Sequence, residues 1–131
     1  MNRILYVILF ILQSLKAQSF TDPKSTYYSL TEALKYPQKV EKLLLIPGKV
    51  NNYNNAAFKT IPGPLLTLKN LRILDLSGND LDVIPGELYR LPELQTLILN
   101  ENQIRAIPED IKKFASLKAL FLWNNKVESV D

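Results

Sequence analysis

The carboxylates Asp80 and Asp82, with Glu101 nearby, come nearest to a grouping that could do chemistry. Paired acids of this kind can hold a cation or move a proton. A Ca²⁺ loop, however, needs the series Asp-x-Asp-x-Asp-Gly, and Val-Ile-Pro follows Asp82 instead. A solvated rim is the better reading. The chain has no His and no Cys, which removes the imidazole base, the thiolate nucleophile, disulfides and thiolate metal sites. Its four Gly form no phosphate-cradling loop. No catalytic, cofactor or metal site is expected, so the sequence reads as non-enzymatic. What remains is contact chemistry, carried by aliphatic and aromatic side chains at alternate positions.

Those side chains sit in a text that repeats. "LRILDLSGNDLDVIP" from Leu71 returns 23 residues later as "LQTLILNENQIRAIP" from Leu94, and again from Leu117 as "LKALFLWNNKVESV". Leu71, Leu74, Leu76, Leu81, Ile84, Leu88 and Leu91 map by that step onto Leu94, Leu97, Leu99, Ile104, Ile107, Ile111 and Phe114. The one polar column is Asn79, Asn102 and Asn125. A weaker first repeat aligns Val40, Leu43, Leu45 and Val50 with Leu71, Leu74, Leu76 and Leu81, and Gly48 with the Asn. Ile61, Leu65 and Leu68 then match only after eight extra residues in "NNYNNAAFKT". That segment reads as a tolerated insertion or as a functional loop with Tyr53 and Phe58 as aromatic tips.

The pattern L-x-x-L-x-L-x-x-N-x-L resembles the leucine-rich repeat family over about residues 40–130, in its Pro-containing 23-residue form. The resemblance implies an α/β solenoid: one short strand per repeat in a parallel sheet on the concave face, and short helical or 3₁₀ return legs. It also implies protein interaction as the usual role.

The residues support this independently. Leu-x-Leu alternation is that of a strand with one buried face. An inward Asn on every coil would satisfy backbone groups of its own coil and the next, each worth about 1–3 kcal/mol if left unpaired. Pro62, Pro85 and Pro108 are placed at the turn into the return leg, where a first helical position accepts Pro. Residues 40–131 then make about four repeats, the first irregular and the last incomplete at Asp131, leaving an apolar C-terminal edge open to water or to another copy.

Alternation also turns the residues between the leucines outward, in three columns across the strands: Lys42, Ile73, Thr96 and Ala119; then Leu44, Asp75, Ile98 and Phe121; then Ile46, Ser77, Asn100 and Trp123. Among them are Leu44, Ile46, Ile73, Asp75, Ile98, Asn100, Phe121 and Trp123, the expected partner-binding residues on the concave face. A contiguous apolar patch with aromatics marks a contact surface for a protein or peptide. The rival reading folds Phe121 and Trp123 over the last coil as a makeshift cap. A second rival is a structural unit that self-associates, or a piece of a longer repeat protein, stacking through the C-terminal edge.

Ahead of the repeats, "SLTEALKYP" gives Ser29 and Glu32 capping-box spacing and puts Leu30, Ala33 and Leu34 on one helical face. Residues 20–39 are therefore read as a polar lead-in and a helix capping the N-terminal end. Residues 1–19 begin with Arg3 and an apolar run from Ile4 to Leu12, the build of a secretory signal peptide cut after Ser19 or Ala17. The run is short for a bilayer span, which takes about 20 residues. Its alternatives are a buried N-terminal helix or an uncleaved anchor. Of the 16 Lys and Arg, only Arg3 and Lys16 lie there, so the remainder carries 14 bases against 13 acids. A body that near neutrality has no footprint for nucleic acid or an anionic membrane. A chain of 131 residues with 47% hydrophobic content makes one small domain.

Overall fold

The computed structural model describes residues 25–48 and 57–130. The expected signal segment, Val50 and Tyr53 lie outside them. Among the described residues seven strands form: β1 (Thr26–Tyr27), β2 (Lys42–Leu44), β3 (Ile73–Asp75), β4 (Thr96–Ile98), β5 (Ala106–Ile107), β6 (Ala119–Phe121) and β7 (Ser129–Val130). One helical turn, α1 (Leu30–Ala33), joins β1 to β2. The main sheet is parallel, in the order β1-β2-β3-β4-β6, and its register is the sequence repeat itself: Leu43, Leu74, Leu97 and Leu120 lie in line. The return legs are 3₁₀ turns at Gly63–Thr67, Gly86–Arg90 and Glu109–Lys113. Between sheet and legs lies a single leucine core in which Leu43, Leu74, Leu97, Leu65 and Leu88 are fully buried.

The amides of the Asn column stitch the coils. Asn102 donates from Nδ2 to Leu76 O (3.0 Å) on the preceding coil and to Leu99 O (3.1 Å) on its own. Its Oδ1 accepts from Leu81 N (3.0 Å), again on the preceding coil. Asn79 repeats this with Leu45 O, Leu76 O and Phe58 N, and Asn125 with Leu99 O, Leu122 O and Ile104 N. The residue before each Asn has positive φ: Gly78 (70°), Glu101 (55°) and Asn124 (55°). That left-handed step turns the amide inward.

Several local expectations change. Phe58, not Val50, takes the place of Leu81 in the first coil, since Phe58 N meets Asn79 Oδ1 as Leu81 N meets Asn102 Oδ1. The eight extra residues therefore precede Phe58, whose ring packs against the core and is not a loop tip. The left-handed residue of that coil is Gly48 (φ 65°), one place later in the alignment than in the others. Pro62, Pro85 and Pro108 occupy the N-cap, extended, and not the first helical position. Their carbonyls accept the first 3₁₀ bonds, from Leu65, Leu88 and Ile111. A residue fixed near φ −65° supplies that extended entry without strain.

At the N-terminal end, α1 buries Ala33 and packs Leu30 and Leu34 on the core. The capping box is not made: Ser29 forms no side-chain cap, and Glu32 pairs instead with Lys35 at 2.8 Å on the surface. The lead-in contributes a strand, because Thr26 and Tyr27 pair with Lys42 and Leu43. β-Branched and aromatic residues fit such a half-buried edge. On the far side of the last coils, Ala106 and Ile107 pair with Ser129 and Val130 in a second, two-stranded sheet.

Candidate interaction surface

The outward residues of the main sheet stand where the alternation puts them. Leu44, Asp75, Ile98 and Phe121 are in register across four strands, so one row carries three large apolar groups around a single acid. Ile73 precedes Asp75 on the same face, and Ile46 and Asn100 follow their strands toward one rim. Leu44, Ile46, Ile73, Asp75, Ile98, Asn100 and Phe121 are half-buried, whereas Trp123 is 69% exposed. Trp123 therefore does not fold over the last coil.

The row beside it differs from expectation. Lys42, Ile73, Thr96 and Ala119 are in register, but Thr96 and Ala119 are buried. Lys42 and Ile73 are left as the partly exposed members of that row.

Two polar residues of the face also have structural work. Asn100 Oδ1 accepts from Trp123 N at 2.8 Å, and Trp123 O accepts from Glu101 N at 2.8 Å. Asn125 Nδ2 adds a third bond to Trp123 O. The indole thus projects from a backbone held by three hydrogen bonds, one at N and two at O, which limits the entropy lost when a partner covers it. Asp75 Oδ1 accepts from Ser77 N at 2.9 Å, closing an Asx turn at the strand end.

The acids weighed first lie elsewhere. Asp80 and Asp82 line an open depression of about 550 Å³ with Lys59, Thr60 and Gln103. Glu101 is not among its walls. Among the described residues, no three His, Cys, Asp or Glu side chains converge as they would on a metal ion. The cluster with shifted titration is on the return legs. Burial pushes the Tyr89 phenol up, Asp110 adds to the rise and Lys113 opposes it. The hydrogen bond from Lys113 to Asp110 (2.8 Å), with the attraction of that carboxylate, raises the exposed Lys113 ammonium. Tyr89 meets Phe114 edge to face, 4.7 Å between centroids. This is packing between adjacent legs. The 23-residue step, which aligns Lys112 with Tyr89 and Phe114 with Leu91, could have pointed to it.

A family model described as "Leucine rich repeat" matches residues 53–104 and 69–127, together more than half of the chain. No curated protein matches. Among solved structures, a leucine-rich repeat protein of Leptospira interrogans is 29% identical, with a TM-score of 0.57 over 86% of this chain and 32% of its own. The leucine-rich repeat domain of APL1B is 20% identical, with a TM-score of 0.54 over 95% of this chain and 35% of its own. An internalin (inlF) from Listeria monocytogenes is 20% identical, with a TM-score of 0.51 over 81% of this chain and 32% of its own. The chain thus spans about a third of the length of each structure. The last two likenesses concern the fold alone. Among the described residues, no helix is long and apolar enough to cross a membrane.

Proposed function

The chain belongs to the leucine-rich repeat family, and from that premise we propose that it is a secreted, non-enzymatic module that binds another protein through its concave sheet face. The observation that carries this is the apolar group of Ile98, Phe121 and Trp123 on the last two coils, with Leu44 across Asp75, topped by an indole 69% exposed on a fixed backbone. Leaving such a group in water brings the free chain nothing, and aromatic anchors of this kind dominate contact energies. The family's usual role in protein interaction agrees, although a fold alone does not define a function. Secretion rests on Arg3, the apolar run from Ile4 to Leu12 and the small residues Ala17 and Ser19.

The test is to recover the mature protein with its bound partner and compare Phe121→Ala and Trp123→Ala. Both variants keep their melting temperature within a few degrees and bind the partner at least tenfold more weakly. Variants that fold and bind as the parent does would remove the concave face from the contact. An N-terminus at Met1 in the recovered protein would remove the secretion reading.

A second reading has its own observation. Leu117, Leu122 and Val127 in the last described coil are only half-buried, whereas Leu94, Leu99 and Ile104 one coil earlier are fully buried. Strand β6 is also an edge of the main sheet. In this reading that side stacks on a second copy. Light scattering separates the two: a monomer favours partner binding, and a dimer dissociated by Val127→Asp favours assembly.

A further inference from the structure

We infer that the concave face selects a protein segment presenting one basic side chain among apolar ones, seated on the carboxylate of Asp75. This rests on the reading of that face as the contact surface. Of its outward strand positions among the described residues, only Lys42, on β2, and Asp75, near the centre, carry a charge. The neighbours of Asp75 on the face are fixed by register and alternation. Leu44 and Ile98 lie on the adjacent strands, and Ile73 and Ser77 lie along its own chain. None of the four is charged, and three of them cannot hydrogen-bond it. Among the described residues, no side chain forms an ion pair with Asp75, Lys42 included.

The turn does not account for the charge. Ser77 N needs one acceptor, and Asp75 Oδ1 provides it at 2.9 Å. An Asn amide oxygen would serve as well, as Asn100 Oδ1 serves Trp123 N on the neighbouring coil. The negative charge, with Oδ2, is surplus to the fold. Covering it with an apolar surface would strip its water and return nothing, a heavy penalty for a carboxylate. A partner that brings Lys or Arg to this spot, flanked by apolar groups for Leu44, Ile98 and Phe121, avoids the penalty. The acid thereby rejects purely apolar partners as well as attracting basic ones.

The experiment pans a displayed library of random twelve-residue peptides against the whole protein and measures the enriched peptides as synthetic ligands. Enriched sequences carry a Lys or Arg between apolar residues. Asp75→Asn, which keeps the Ser77 turn, weakens them roughly thirtyfold or more. Replacing the basic residue of the peptide by Gln weakens binding to the unaltered protein equally, a readout independent of how the variant folds. Peptides lost on Phe121→Ala but indifferent to both charge changes would overturn the inference and leave the concave face standing. Peptides indifferent to all three changes, or no enrichment at all, would overturn the inference and count against the face itself.

Discussion

The coil of Asn102 and the coil of Asn125 have the same text and the same bonds, yet they differ in burial. Each amide donates to its own coil and to the one before, and each accepts one N–H from the coil before. Asn102 is buried at 3% exposure, while Asn125 is half-buried. Leu99 and Ile104 are sealed where Leu122 and Val127 are not. The bonding pattern is thus local to two coils and is written in the repeat. The burial that gives those bonds their value comes from a neighbour on each side. A solenoid is quasi-one-dimensional for this reason.

The contrast can be broken most forcefully at Asn102. Asn102→Leu leaves Leu81 N without its partner, at about 1–3 kcal/mol for a buried group, and takes from Leu76 O and Leu99 O one of their two amide donors, the others being Asn79 and Asn125. The variant should lose most of its cooperative melting transition by circular dichroism. An unchanged melt would mean that the amide ladder does not hold the coils together. Next in size is the apolar pair. Leu97→Ala in a central coil costs about 2–5 kcal/mol, and Leu120→Ala in the edge coil costs less, because its cavity opens toward water. Urea titration of the two gives the difference directly.

Asn125→Leu is a smaller perturbation than Asn102→Leu, although it strips two groups, Leu122 O and Ile104 N, of their amide partner. Water reaches that coil and can take over Leu122 O and part of the remaining demand. A destabilisation of about 1 kcal/mol is expected; equal losses for the two variants would deny that burial separates the coils. The smallest effect is alkaline. The Tyr89 phenol titrates higher in the fold than free in solution, so its contribution is complete below about pH 10, the ordinary tyrosine value. It is lost as the pH climbs through the raised native value. Lys113, also raised, adds in the same direction. Tyr89→Phe should flatten the alkaline fall in melting temperature without altering it near neutrality.

The repeat made the sheet register, the Asn ladder and the return legs legible, because each depends on a spacing that recurs. Leu43, Leu74, Leu97 and Leu120 are a column in the text and a column in space. Where a single residue decides, the sequence misled. Phe58 replaces Val50 because an insertion can fall on either side of an anchor, and apolar type does not distinguish the two. β1 was hidden because two residues show no alternation. Thr96 and Ala119 were assigned to the surface by alternation, which gives direction but not burial. Ser29 and Glu32 had the spacing of a capping box, and the lysine at 35 took the Glu carboxylate instead. Of the residues expected to contact a partner, Leu44, Ile73, Asp75, Ile98 and Phe121 lie in the strand register that the repeat gives. Asp75 and Asn100 carry turn and strand-end bonds that type alone could not reveal.

Because the chain has one Trp and it stands on the concave face, its emission reports on that face alone. In the free protein, Trp123 should emit as a solvated indole and be quenched readily by acrylamide. Adding the recovered partner, or a peptide enriched by panning, should shift the emission to the blue and protect the ring from quenching. A ligand that binds with measurable affinity while emission and quenching stay as they were would contradict the concave face as the contact surface.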